Sequence, residues 1–176
     1  MKKILLIPTA LFLTFCSSKK IGVLNIEEGK PVSKIENLCP SDGKCTIEVL
    51  KGKSLELKTD DIGAIYTQIN ENDKTSVIIY QYNRMVKGDL QDANYREEII
   101  FEINNSDIKL NLSNKELQQT KMLFGRFCFC RGQTGYYKVE QGVLDLNQKN
   151  GSLDFTLDFV SPKVPQIIKS IKTSIK

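Results

Sequence analysis

Leu153-Asp154-Phe155-Thr156-Leu157-Asp158-Phe159 alternates apolar and polar residues without a break. Successive side chains of a strand point to opposite faces, so one face of this run enters a core and the other meets water. Just upstream, Val143 to Leu146 is a second strand-forming run, and Asn147-Gln148-Lys149-Asn150-Gly151 joins the two. Asn-Gly is a hairpin signal because both positions tolerate positive φ. The segment therefore reads as an antiparallel hairpin with one apolar face, which needs a second layer to cover it.

The same period of two recurs along the chain. Cys45, Ile47 and Val49 oppose Thr46 and Glu48, and Leu55 and Leu57 alternate with Glu56 and Lys58. Ile99, Phe101 and Ile103 alternate with Glu98 and Glu102, and Ile108, Leu110 and Leu112 with Lys109 and Asn111. Ser76 to Tyr82 is strand-forming on both faces, as a central strand requires. Breakers fall between the runs at Asp42-Gly43, Lys51-Gly52, Asn70 to Asp73, Gly88 to Asn94, Asn104 to Asp107 and Gly132 to Gly135. The expected fold is all-β, an antiparallel β-sandwich or barrel of about 8–10 strands. Two short helices are candidates. Ser113-Asn114-Lys115-Glu116 is a capping-box pattern before Leu117. The other lies after Pro165, where Ile168, Ile171 and Ile175 fit one helical face with Val164 just before the proline, and a final edge strand is the alternative.

The 176 residues suit one domain, assigned to residues 32–176. The chain contains no His, which removes Ser-His-Asp triads, Cys-His pairs and imidazole metal sites. Paired carboxylates occur at Glu27-Glu28, Asp60-Asp61 and Glu97-Glu98. Neighbours in a strand face opposite ways, so none is a natural acid/base dyad. No phosphate loop, nucleophile elbow or Ca²⁺ loop is present, and no cofactor or metal is expected.

Residues 1–16 read MKKILLIPTALFLTFC. Lys2 and Lys3 precede an apolar run too short to span a bilayer as a helix, the layout of a signal peptide. Leu13-Thr14-Phe15-Cys16 resembles the lipobox of bacterial lipoproteins, with Phe15 where a small residue is usual. The resemblance implies removal of residues 1–15, lipidation of Cys16, and residues 16–31 as lipidated N-terminus and tether. It places the protein in the bacterial cell envelope, held to a membrane by its lipid, with the outer membrane preferred. Ordinary cleavage after Ser18, giving a secreted protein, is the alternative. Loss of Lys2 and Lys3 lowers the net charge from +4 to +2, and no basic stripe remains to suggest nucleic acid.

Five cysteines are odd in number, and lipidation of Cys16 leaves Cys39, Cys45, Cys128 and Cys130. Four cysteines in an oxidising compartment read as disulfides. Cys39 and Cys45 flank the tight turn Pro40-Ser41-Asp42-Gly43-Lys44, whose closure is worth about 2 kcal/mol. Cys128 and Cys130 would lie about 6.5–7 Å apart in a straight strand, so pairing them needs a bend. Cross-links between the two regions are the other possibility.

The densest stretch is Phe124 to Tyr137, where Arg126, Arg131, Gln133, Tyr136 and Tyr137 flank the Cys128-Phe129-Cys130 motif. Arg and Tyr are favoured at interfaces, so these five residues form the expected binding surface. Tyr80 to Arg84, leading into a polar loop, is a second candidate. The favoured function is a non-enzymatic binding or scaffolding role in the envelope, with an envelope protein as the possible partner. A thiol–disulfide redox protein using Cys128 and Cys130, and a β-barrel carrier of a small apolar ligand, are the alternatives.

Overall fold

A computed structural model describes residues 39–86, 88 and 93–175. The expected signal peptide, Cys16 and the tether lie outside these residues. The fold is all-β. Among the described residues nine strands run in chain order: β1 Gly43–Thr59, β2 Ile65–Arg84, β3 Tyr95–Asn104, β4 Ile108–Ser113, β5 Leu123–Cys128, β6 Gly135–Lys138, β7 Gly142–Lys149, β8 Ser152–Phe159 and β9 Ser170–Ile175. One sheet has the order β1-β2-β3-β5-β6 and closes into a small barrel where β6 returns to β2 at Ile65 and Tyr136. The other has the order β4-β7-β8-β9. All pairings are antiparallel.

The β7–β8 hairpin forms as the alternation demands. Leu153, Phe155, Leu157 and Phe159 are buried, Asp154 and Asp158 are exposed, and Asn150 and Gly151 make the two-residue turn at positive φ. The buried face lies on one outer face of the barrel. There it meets Ile78, Tyr80, Tyr82, Ile99, Phe101 and Phe124. Phe101 meets Phe155 edge-on at 5.5 Å, and Phe124 lies 5.7 Å from Phe159.

Barrel closure follows from two long bent strands. Lys51-Gly52 and Asn70 to Asp73 read as breaks in the sequence, yet β1 and β2 run straight through both. The register shifts there, from Lys51↔Ser76 to Lys53↔Glu71, with Gly52 at φ 71°. Such a bulge bends the strands and switches which side chains face inward. Before it, Ile47 and Val49 face the second sheet; after it, Leu55 and Leu57 join Val77, Ile100 and Leu123 inside the barrel. The turn beyond is held by Asp60, whose Oδ1 accepts from the amides of Ile62 (3.0 Å) and Ala64 (2.7 Å).

The capping-box segment is a 3₁₀ helix, Asn114–Thr120, with the Ser113 amide donating to Glu116 Oε2 at 2.9 Å. That bond holds the Glu116 carboxyl below its ordinary range. The second expected helix is absent: the residues after Pro165 end in strand β9. Val164, Ile168, Ile171 and Ile175 are nevertheless all buried. An i, i+4 spacing such as Ile171 and Ile175 satisfies both periods. Thr173 is buried between them and shows that the true period is two.

Glu97 ties the two layers together. Its Oε1 accepts from the Ile167 amide and its Oε2 from the Ile168 amide, both at 2.7 Å. The Tyr95 hydroxyl donates to Oε1 at 2.5 Å. Glu97→Gln puts an amide group against backbone donors and should cost about 2–3 kcal/mol. Urea unfolding checks this as a lower midpoint at unchanged slope.

Candidate functional site

β5 runs antiparallel to β3, so Cys128 pairs with Tyr95, and β1 and β2 bring Gly43 opposite Arg84. These pairings gather the Cys39–Cys45 turn, the end of β2, the start of β3 and the Cys128–Cys130 loop at one end of the barrel. The chain enters the described structure there. An open groove of about 600 Å³ lies at this end. Asn83, Arg84, Asn94, Tyr95, Arg96, Phe127, Cys128 and Phe129 line it.

Both cysteine pairs are bonded locally, Cys39 to Cys45 and Cys128 to Cys130. The arrangement fits an extracellular, disulfide-bonded protein. β5 ends at Cys128 and the backbone bends there, bringing the Cα atoms of Cys128 and Cys130 to 5.2 Å. A bridge between i and i+2 fixes both cysteines toward one side and drives the middle residue to the other. Phe129 is accordingly 82% exposed.

Two arginines line the groove on aromatic supports. The Arg84 guanidinium lies 4.6 Å from the Tyr95 ring centroid, with Nε 3.4 Å from Asp42 Oδ2. Arg96 lies 4.3 Å from the Phe127 centroid, with one terminal nitrogen 3.9 Å from Glu98 Oε2. Stacking holds each guanidinium while leaving its edge for a further partner.

The residues expected as a binding surface separate. Arg131 and Gln133 are exposed on the disulfide loop. Arg126 points inward and is buried. Its NH1 donates to Gln133 Oε1 at 2.9 Å and its Nε to the Tyr95 hydroxyl at 3.3 Å, completing a chain from Arg126 through Tyr95 to Glu97. Burial, then the Glu97 bond, pushes the Tyr95 phenol up. Tyr136 turns into the barrel: its ring meets Phe127 edge-on at 5.2 Å and its hydroxyl donates to Glu98 Oε1 at 2.6 Å. Burial and Glu98 raise its phenol strongly. Tyr137 packs against the inter-sheet core. Tyr80 and Tyr82, from the second candidate segment, are buried, and only Asn83 and Arg84 reach the groove.

Glu97 and Glu98 do face opposite ways, one to the inter-sheet layer and one into the barrel. The barrel interior is filled by Leu55, Val77, Ile100 and Leu123, with Tyr136 against them. Among the described residues no group of three or more acidic, Cys or His side chains is placed to hold a metal. No described helix is long and apolar enough to cross a membrane.

Reading side-chain types alone missed Phe129 and Arg96. The signal for Phe129 was available, since a pinned C-x-C must expel its central residue. Arg96 had none, because its role depends on which strand β3 meets. Comparison with protein-family models, curated protein sequences and solved structures returns no match.

Two outcomes test this geometry. Tyr136→Ala should lose about 3–4 kcal/mol of stability, read by thermal or urea unfolding, because it empties the barrel beside Phe127 and removes one of the two donors that Glu98 accepts from. Non-reducing peptide mapping should recover the 39–45 and 128–130 bonds as separate local loops, with no fragment linking the two.

Proposed function

We propose that this is a lipid-anchored protein of the bacterial cell envelope with a non-enzymatic binding role, exercised at the groove end of the barrel. The observation that carries the reading is Phe129. A large apolar side chain is held 82% exposed by a covalent ring, beside a groove with two stacked arginines. A rigid exposed aromatic next to arginine is the composition of a contact hot spot, and pinning the loop lowers the entropy lost on contact. The charged, apolar and cysteine order of residues 1–16 supports anchoring at Cys16. Acyl chains contribute about 0.8 kcal/mol per buried CH₂, enough for stable attachment when two or more are present.

Two measurements test this. Cys16→Ala should release the protein from sedimented membranes, and a native protein that is already soluble and begins at Lys19 would overturn the anchor. A photo-crosslinking residue placed at 129 in intact cells should give adducts that the same residue at exposed Asp158, on the far sheet, does not. Equal yields at the two positions would remove the groove end as the contact surface.

A second reading, thiol–disulfide exchange, is favoured by one observation: Cys128 and Cys130 close a bond within an otherwise exposed loop. Catalysed insulin reduction that disappears in Cys128→Ser would put this reading first.

A further inference from the structure

Three separate observations meet at the groove end. The first is apolar exposure. Phe129 is 82% exposed, and Met85, whose amide donates to the Asp42 carbonyl at 2.8 Å, is 62% exposed. The second is charge. Lys44, Arg84, Arg96 and Arg131 carry cations here. The described acids facing them are Asp42, paired with Arg84, and Glu98, which is buried beneath Arg96. Lys87, Asp89 and Asp92, in the segment between β2 and β3, lie outside the described residues. The third is chain direction. The residues before Cys39 join the domain at this end, and Cys16 is 23 positions upstream of Cys39. An acyl anchor at Cys16 would therefore be joined to the domain through this end.

From these we propose that the groove end lies against an anionic lipid surface, with Phe129 and Met85 at the headgroup level and the four cations above lipid phosphates. The proposal rests on reading this end as the contact surface and names its partner. Apolar side chains framed by Lys and Arg are the composition of an interfacial docking patch, whose attraction to acidic lipids is screened by salt. The fold contains its own control. Ile62, at the tip of the β1–β2 hairpin, is 90% exposed but follows Asp60 and Asp61, a tip that an anionic surface repels.

The test uses the unacylated chain from Ser17 to Lys176, which holds all nine strands and both hydrophobic clusters. It is sedimented with neutral phosphatidylcholine vesicles and with vesicles in which about one-third of the lipid is phosphatidylglycerol. The chain should bind the anionic vesicles and lose binding as salt rises. Phe129→Ala should weaken partitioning about tenfold, the worth of burying part of one large apolar side chain. Arg131→Glu should weaken it further, while Ile62→Ala should match the parent. All three positions are exposed, so each variant keeps the fold, which circular dichroism verifies. Equal binding to neutral and anionic vesicles, or a Phe129→Ala chain that binds like the parent, would overturn the proposal. Absence of vesicle binding together with protein adducts at position 129 in cells would overturn the lipid partner while leaving the contact surface standing. Absence of both would remove the surface as well.

Discussion

Everything in this fold hangs on β2 and β3 being buried on both faces. Val77 and Ile79 of β2 and Ile100 of β3 look into the barrel, while Ile78, Tyr80, Ile99 and Phe101 look out at the second sheet. Two central strands thus serve two hydrophobic clusters at once. The arrangement depends on strand register, because a one-residue slip would exchange the two sets of side chains and drive Glu97 and Glu98 into each other's places. The carboxylates make such a slip costly. Glu97 meets two backbone amides on one face only, and Glu98 meets the Tyr136 hydroxyl and the Gln81 amide on the other.

Charge is used inside the molecule more than the composition suggests. Glu102 accepts from the Leu55 amide at 2.6 Å, and Lys121 donates to the Leu55 carbonyl at 2.8 Å and to Glu102 at 2.9 Å. The pair thereby satisfies backbone groups on β1 that its pairing with β2 leaves unused, a way of closing a strand edge without another strand. Glu98 and Glu102 read as the solvated face of an alternating strand. Their burial follows from barrel closure, which encloses what would be the wet side of an open sheet.

Much of the architecture was legible in the residues and part was not, for reasons that can be named. The Leu153 to Phe159 alternation and the Asn150-Gly151 turn are local, so the hairpin could be read directly. The Ser113 and Glu116 cap is equally local. What could not be read was how strands meet at a distance. Gly52 looked like an end because a glycine that terminates a strand and one that bends it have the same neighbours. The last strand looked helical because Ile171 and Ile175 suit either period. At the site, the Cys39–Cys45 pair was foreseeable from its tight turn, whereas pairing Cys128 with Cys130 depends on the bend where β5 ends. The inward turn of Arg126 and Tyr136 was not, since it depends on the encounter with Tyr95 and Glu98 from another strand.

Both disulfides join cysteines that are neighbours in the order of the chain, six and two positions apart. Neither encloses the barrel closure at Ile65 and Tyr136 or the Glu97 bonds to Ile167 and Ile168, which bridge 71 and about 70 residues. Each cysteine therefore finds its native partner by local encounter, over loops that close far faster than the long-range pairings form. Oxidation can run to completion while the chain is still unstructured, with little opportunity for mispaired intermediates and little need for reshuffling. The slow part of maturation is left to the backbone: the topology must be found by strand pairing alone, with no covalent bond to record that it has been reached.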